Sequence, residues 1–314
     1  VPRARFTGAR LYLGGMTRKE YDVSSARRRE LGNELKFVRE QARLSGHELA
    51  RILDWAPSKV SRYEGGQRTP SELDVAVFVT SCGVKREELE RLLKLSREAD
   101  ATYWVRPYNE QLPDELRSLM LQESSATAIR SYEPLVIPGL LQTEGYARAI
   151  FEWAARNDKE GIELLVNARI SRQSLLRRRM PPQCTFYIHE HALRSVLGDA
   201  QVMHEQIMFL VFSASLPHCS IRVLPESTGT YGLLGGPFLL MDYSGYPPAA
   251  YAETYTAGLF IEDAQDVATY RGILERLDRD ALNGGQSVEW LAELASDYDR
   301  AEERQDDDSR TDVV

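Results

Sequence analysis

The sequence predicts a multidomain chain, an all-α five-helix bundle of helix-turn-helix type followed by an α+β domain of mixed helices and strands. Three observations predict it. Apolar residues recur at helical spacing from about Arg27 to Ala99, the pattern then changes to interleaved helix and strand, and the charge divides at about the same place. Residues 1–70 hold 15 Lys and Arg against 8 Asp and Glu, and the remainder 24 against 39, within a net charge of −8. The basic end is the end that suits a polyanion.

In chain order, residues 1–26 mix Gly, Arg and Ser without period and read as a flexible basic arm. Residues 27–100 form the bundle. Its five helices are marked by Leu31, Leu35 and Val38; by Leu49, Ile52 and Leu53; by Val60 and Tyr63; by Leu73, Ala76 and Val77; and by Leu89, Leu92 and Leu93. A boundary falls near residues 100–112, and an α+β regulatory domain is expected over 112–297. There a Pro-marked segment, Glu133 to Gly139, precedes two helical runs between about Glu144 and Arg179. Strands are expected at Thr185 to Ile188, Ser220 to Leu224, Phe238 to Tyr243 and Ala249 to Glu253, with helices at about 191–215 and 263–282. The last stretch, 298–314, is dominated by charge and reads as a disordered acidic tail.

The chemistry concentrates in the second and third helices. Ser45-Gly46-His47-Glu48 is a capping box, in which the Ser hydroxyl and the Glu carboxylate each satisfy an orphan backbone N–H. Pro57 sits where a first helical turn tolerates a missing N–H, so the chain re-enters helix after a short turn, at helix-turn-helix spacing. In the third helix Val60 and Tyr63 face inward, while Ser58, Ser61 and Arg62 project within roughly 100° of one another on the other side, flanked by Lys59. Such a face suits the major groove of double-stranded DNA, where Arg62 can donate two bonds to guanine O6 and N7. Lys59 and Arg68 are expected to neutralise phosphates, adding affinity without reading sequence. Gly65-Gly66 is expected to end the helix at positive φ and to offer backbone N–H groups to a phosphate. Thr69-Pro70-Ser71-Glu72 reads as the capped start of the fourth helix, with Thr69 as the cap.

Leu49-Ala50 followed by Ser58-Lys59-Val60-Ser61-Arg62-Tyr63-Glu64-Gly65-Gly66-Gln67-Arg68-Thr69-Pro70-Ser71 resembles the Cro/repressor (XRE) helix-turn-helix family. The resemblance implies groove-facing positions at Pro57, Ser58, Ser61 and Arg62, a phosphate near Ser45 and Gly46, and a buried ion pair of Arg39 with Glu64. Ala56 departs from the Ser cap common there, which weakens the start of the third helix. The run from Tyr132 through Pro138-Gly139-Leu140-Leu141-Gln142-Thr143-Glu144-Gly145-Tyr146-Ala147, with Arg172-Gln173 and Gly235-Gly236-Pro237-Phe238, resembles the actinobacterial antitoxin-like (WhiJ-like) regulators. That resemblance implies a small partner protein encoded nearby and a role in development or antibiotic production.

The second domain carries few chemical signals of its own. His189 and His191, with His204 or His218, form a possible metal set, but a strand-to-helix junction accounts for them better, and no metal or cofactor is expected. Gly229, Gly232, Gly235 and Gly236 precede a strand rather than a helix, so a hairpin connection is expected instead of a phosphate loop. Nucleophile-elbow and zinc-protease spacings are absent, so no catalytic residues and no enzyme are expected. Met203, Ile207, Met208, Leu210 and Val211 line an apolar helix that serves either a core or a dimer contact, with core packing favoured. One helix-turn-helix spans only a half-site, which predicts a homodimer on a palindromic operator. No apolar run approaches eighteen residues, and the three cysteines stand far apart, so a cytoplasmic protein, nucleoid-associated when bound to DNA and with no membrane contact, is expected. The sequence reading is thus a transcriptional regulator, the alternative being an antitoxin-like protein whose main task is to sequester a partner.

Overall fold

The computed structural model describes residues 26–97, 103–107, 114–154, 159–229, 236–254 and 257–311. Its first five helices are α1 (Ala26–Gln41), α2 (Gly46–Ile52), α3 (Pro57–Glu64), α4 (Glu72–Ser81) and α5 (Arg86–Arg97). They enclose one core built on Leu31, Leu35, Leu49, Val60, Tyr63, Phe78 and Leu92. The arm expected at 1–26 lies outside the described residues except for Ala26, which begins α1 and is fully buried.

Local chemistry sets the helix ends. Ser45 N–H donates to Glu48 Oε2 at 2.8 Å and Glu48 N–H to Ser45 Oγ at 3.2 Å, the reciprocal capping box. The box holds the Glu48 carboxyl below the usual carboxylate range, through the backbone bond from Ser45 first and its side chain second. α2 closes at Leu53, and Asp54 takes φ 54, a left-handed conformation that Asp tolerates better than most residues. Pro57 then opens α3, whose cap Ala56 makes no side-chain hydrogen bond.

Two expectations for α4 are corrected. Its cap is Ser71, whose Oγ accepts from Asp74 N–H at 3.1 Å, not Thr69. Pro70 is buried, and its carbonyl accepts from Ser96 Oγ on α5, so it anchors the loop instead of opening the helix. The inward face is Val75, Phe78 and Val79, while Leu73 is 73% exposed. α4 is apolar almost all round, so spacing alone could not choose its face.

The second domain is a mixed sheet covered on both faces. Its strands are β1 (Tyr103–Pro107), β2 (Ala128–Glu133), β3 (Gln183–His189), β4 (Cys219–Leu224), β5 (Phe238–Asp242), β6 (Ala249–Glu253) and β7 (Ala257–Ile261). Among the described residues they form one seven-stranded sheet in the order β1-β7-β6-β5-β2-β3-β4, with β2, β3 and β4 parallel and the other pairings antiparallel. β1 therefore draws the start of this domain back from 112 to 103. The hairpin expected ahead of Phe238 is also corrected: β4 is an edge strand and β5 pairs with β2 and β6, so the connection crosses β3 and β2. Gly232 and Gly235 lie outside the described residues.

Helices α6 (Asp114–Ser125), α7 (Glu144–Ala154), α8 (Lys159–Arg172), α9 (Ser174–Arg177), α10 (Glu190–Arg194), α11 (Ala200–Ser213), α12 (Ala264–Asp280) and α13 (Gly284–Thr311) complete the α-helices among the described residues. On one sheet face Ile129, Phe186, Ile188, Met241 and Phe260 pack with Tyr146, Met203, Ile207, Leu210 and Leu291. On the other, Tyr132, Tyr187, Phe238 and Leu240 pack under Leu274 and Leu277 of α12. The apolar face of α11 is thus core. The tail expected at 298–314 is corrected too, because α13 runs to Thr311. Past Gly285 that segment contains no Gly or Pro to end the helix, and pairs such as Arg300 with Asp297 at i,i+3 support it.

The two domains share α1. Ala26 N–H donates to Glu262 Oε1 at 2.6 Å, Gln122 Nε2 of α6 donates to the Ala26 carbonyl at 3.1 Å, and Ser118 Oγ of α6 donates to Glu30. The Arg29 guanidinium donates to Gln122 and lies 4.3 Å and 4.6 Å from the ring centres of Tyr243 and Tyr246. One turn further on, Leu31 and Leu35 enter the bundle core.

Candidate nucleic-acid interface

α3 presents one buried and one open face. Val60 and Tyr63 are buried, whereas Pro57, Ser58, Ser61 and Arg62 are exposed. Arg62 Nε donates to the Ser58 carbonyl at 3.2 Å, which leaves both Nη groups uncommitted among the described residues. Two parallel donors on a rigid planar group are what a guanine edge can accept. Ser45 is exposed, and because its Oγ only accepts within the capping box, its O–H remains a donor. Gly46 follows it at the start of α2, 3.9 Å by its Cβ direction from Val60 Cγ1. Arg68 is exposed beyond the end of α3.

Two expected phosphate contacts are placed differently. Lys59 Nζ forms an ion pair with Asp74 Oδ1 at 2.9 Å and lies 3.7 Å from the Trp55 ring centre and 5.5 Å from that of Tyr63. Its charge ties α3 to α4. The N–H groups of Gly65 and Gly66 donate to the carbonyls of Ser61 and Tyr63, so neither is offered outward, and only Gly66 has positive φ.

What holds α3 at its angle is mostly behind it. Arg39 of α1 donates from Nε and Nη2 to the two oxygens of Glu64 at 2.6 Å and 2.9 Å, and from Nη1 to the Leu44 carbonyl at 2.6 Å. Both side chains are about one-tenth exposed. The bond to Glu64, ahead of opposing burial, raises the Arg39 pKa further. Beside this pair, α1 passes so close that a Cβ on Gly32 would stand 2.5 Å from the Glu64 carbonyl oxygen and 2.6 Å from that of Tyr63. The sequence reading missed Gly32, although a glycine inside an amphipathic helix is itself a sign of close approach. Tyr63 O–H donates to Asp74 Oδ2 at 2.6 Å, and burial followed by that bond raises its pKa to about 12. Asp74 is held low: burial opposes ionisation, but bonds from Tyr63, Lys59 and Ser71 outweigh it.

In the second domain the histidines are dispersed. His189 Nδ1 accepts from the His191 N–H at 3.0 Å as the cap of α10, while His204 and His218 bond the carbonyls of Ala295 and Leu176. No three His, Cys, Asp or Glu side chains gather as a metal set among the described residues. Cys184 and Cys219, distant in sequence, are register partners on β3 and β4, both free and raised to about 12 by burial. No helix among the described residues is long and apolar enough to cross a membrane.

Comparison with known proteins matches residues 30–92 to a helix-turn-helix domain and residues 116–293 to a domain of unknown function, DUF5753. No curated protein matches the chain in sequence. Among solved structures, that of TrmBL2, described as an archaeal chromatin protein with a novel mode of DNA binding, is 12% identical. It covers 76% of this chain and 88% of its own at a TM-score of 0.29, a likeness too distant to carry an argument.

Proposed function

The chain belongs to the DUF5753 family and carries a helix-turn-helix domain ahead of that region, and on this premise we propose that it is a sequence-specific transcriptional regulator of the Cro/repressor type. α3 lies in the major groove of double-stranded DNA. Arg62 reads a guanine, Ser58 and Ser61 contact base edges or phosphates, and Ser45, Gly46 and Arg68 hold the backbone. The observation that carries this reading is the open face of α3. Pro57, Ser58, Ser61 and Arg62 are all exposed, on a helix whose other side is locked by Val60, Tyr63 and the Arg39–Glu64 pair.

The protein acts as a homodimer on two half-sites. The DUF5753 region is its non-catalytic regulatory part, receiving a small partner protein or a ligand, and its place is the cytoplasm, on the nucleoid when bound. The test is binding of wild type and Arg62→Ala to genomic fragments, including the chain's own promoter, across a salt series. Loss of about 1–3 kcal/mol at a preferred site, with relaxed preference at one base pair, is the expected result. Absence of any sequence preference in the wild type overturns the reading and leaves the partner-sequestering role.

A further inference from the structure

One corner of the sheet carries polar groups where packing would put apolar ones. Alternation along β2 sets Ile129, Ser131 and Glu133 on the face beneath α7, α8 and α11. The register pairs Ser131 with Leu239 and Leu239 with Tyr251, and carried two residues further it aligns Glu133, Pro237 and Glu253 as the next row. That row stands at the carboxyl end of parallel strand β2, the edge at which open α/β sheets receive ligands.

Burial orders these groups by depth. Ser131 and Tyr251 are 0% and 3% exposed, and their hydroxyls have no hydrogen-bond partner among the described residues. Glu133 and Arg169 of α8 are partly buried. Glu253 is exposed at the end of the row. Gly139 lets Arg169 lie close against the backbone, since a Cβ there would stand 2.7 Å from Arg169 Nη1.

The charges are unequal. Arg169 donates to Gln142 Oε1 at 3.0 Å and lies 5.1 Å from the Phe151 ring centre, and Arg172 is committed to Glu123 by bonds of 3.0 Å and 2.6 Å. Glu133 receives no hydrogen bond or ion pair from any described residue. Its pKa is pushed up to about 8 by burial first and Glu253 second, against the pull of Arg169 and Arg172. A partly buried acid without a donor, beside buried hydroxyls without partners among the described residues, is a set of unmet hydrogen bonds that a cationic donor would complete.

We propose that this corner of the sheet binds a small organic amine, its ammonium group on Glu133 and its polar substituents on Ser131 and Tyr251. The proposal names the class of signal for the regulatory domain and rests on the reading above for its effect on DNA, but amine binding is read without DNA, so the two can fail separately. The experiment is thermal unfolding of the full chain with ethanolamine, putrescine and tyramine, each beside its N-acetylated neutral counterpart. At a concentration about tenfold above its dissociation constant, at least one amine raises the Tm by about 3–5 °C while its neutral counterpart does not. Glu133→Gln abolishes the rise, and Tyr251→Phe weakens the same amine several-fold, which keeps the test intact should the first variant fold poorly. No shift with any of the three amines, an equal shift with the neutral compounds, or an undiminished shift in Glu133→Gln or Tyr251→Phe overturns it.

Discussion

Replacing Arg39 with Met removes one half of the pair that fixes the end of α3. Three charge-assisted hydrogen bonds go with it, two to Glu64 and one to the Leu44 carbonyl. Both side chains are about 90% buried, so the Glu64 carboxylate is left with little water to replace its partner. Breaking a buried pair this way costs about 3–5 kcal/mol, and the residual exposure places the loss at the lower end, about 3 kcal/mol. The cost is that of a stranded charge more than of a lost attraction, so the double variant Arg39→Met, Glu64→Leu recovers most of it. Urea unfolding followed by helical circular dichroism measures all three proteins at constant m-value. A single variant that loses less than about 1 kcal/mol, or a double variant no more stable than the single, refutes the reasoning.

Gly32→Ala drives a methyl group into the Tyr63 and Glu64 carbonyls; a loss of about 1–3 kcal/mol is expected by the same unfolding assay, with DNA affinity reduced beyond it because α3 must shift. Asp74→Asn removes the charge that faces Lys59 and leaves one acceptor oxygen where Lys59 and Tyr63 each have their own. Since the Asp74 pKa is lowered on folding, its contribution is present above the ordinary carboxylate range and disappears as pH falls through the folded value. The variant is therefore less stable than wild type by about 1–2 kcal/mol at pH 7, and the gap closes as acid titrates the group. Glu262 is the opposite case, pushed up to about 7 by burial ahead of the favourable bond from Ala26. The folded state then binds more protons, so stability falls by up to about 3 kcal/mol as pH rises from 4.5 through 7, and Glu262→Gln flattens that profile.

The bundle was legible because its signals are local. Ser45 and Glu48 lie three residues apart and Pro57 can open a helix but hardly continue one, so the positions of α2 and α3 follow from short stretches. α4 was misread for the converse reason, since Thr69 and Ser71 both precede a helix plausibly and only the buried carbonyl of Pro70 decides between them. In the second domain the strands found in advance carry unbroken apolar runs, as Phe238 to Met241 does. β2 was missed although it is central, because Arg130, Ser131 and Glu133 interrupt it. Polar residues at sheet positions covered by helices break the pattern, and such breaks gather where a protein keeps a site in place of packing. Arg39 and Glu64 were placed by family resemblance, whereas the inward turn of Lys59 depends on Asp74 and Trp55, fifteen residues ahead and four behind.

The helix common to the two domains is also a lever. Its first turn is gripped by α6, Glu262 and two tyrosines, and its other end holds α3 through Arg39. Sixteen residues of α-helix measure roughly 24 Å. Pivoting about the gripped turn, a tilt of about 5° would swing the far end by roughly 2 Å, more than a bidentate hydrogen bond to a base tolerates. If α3 reads DNA as proposed above, small repacking beside α6 would be geared up into a change of reach at the DNA, with no alteration inside the bundle itself.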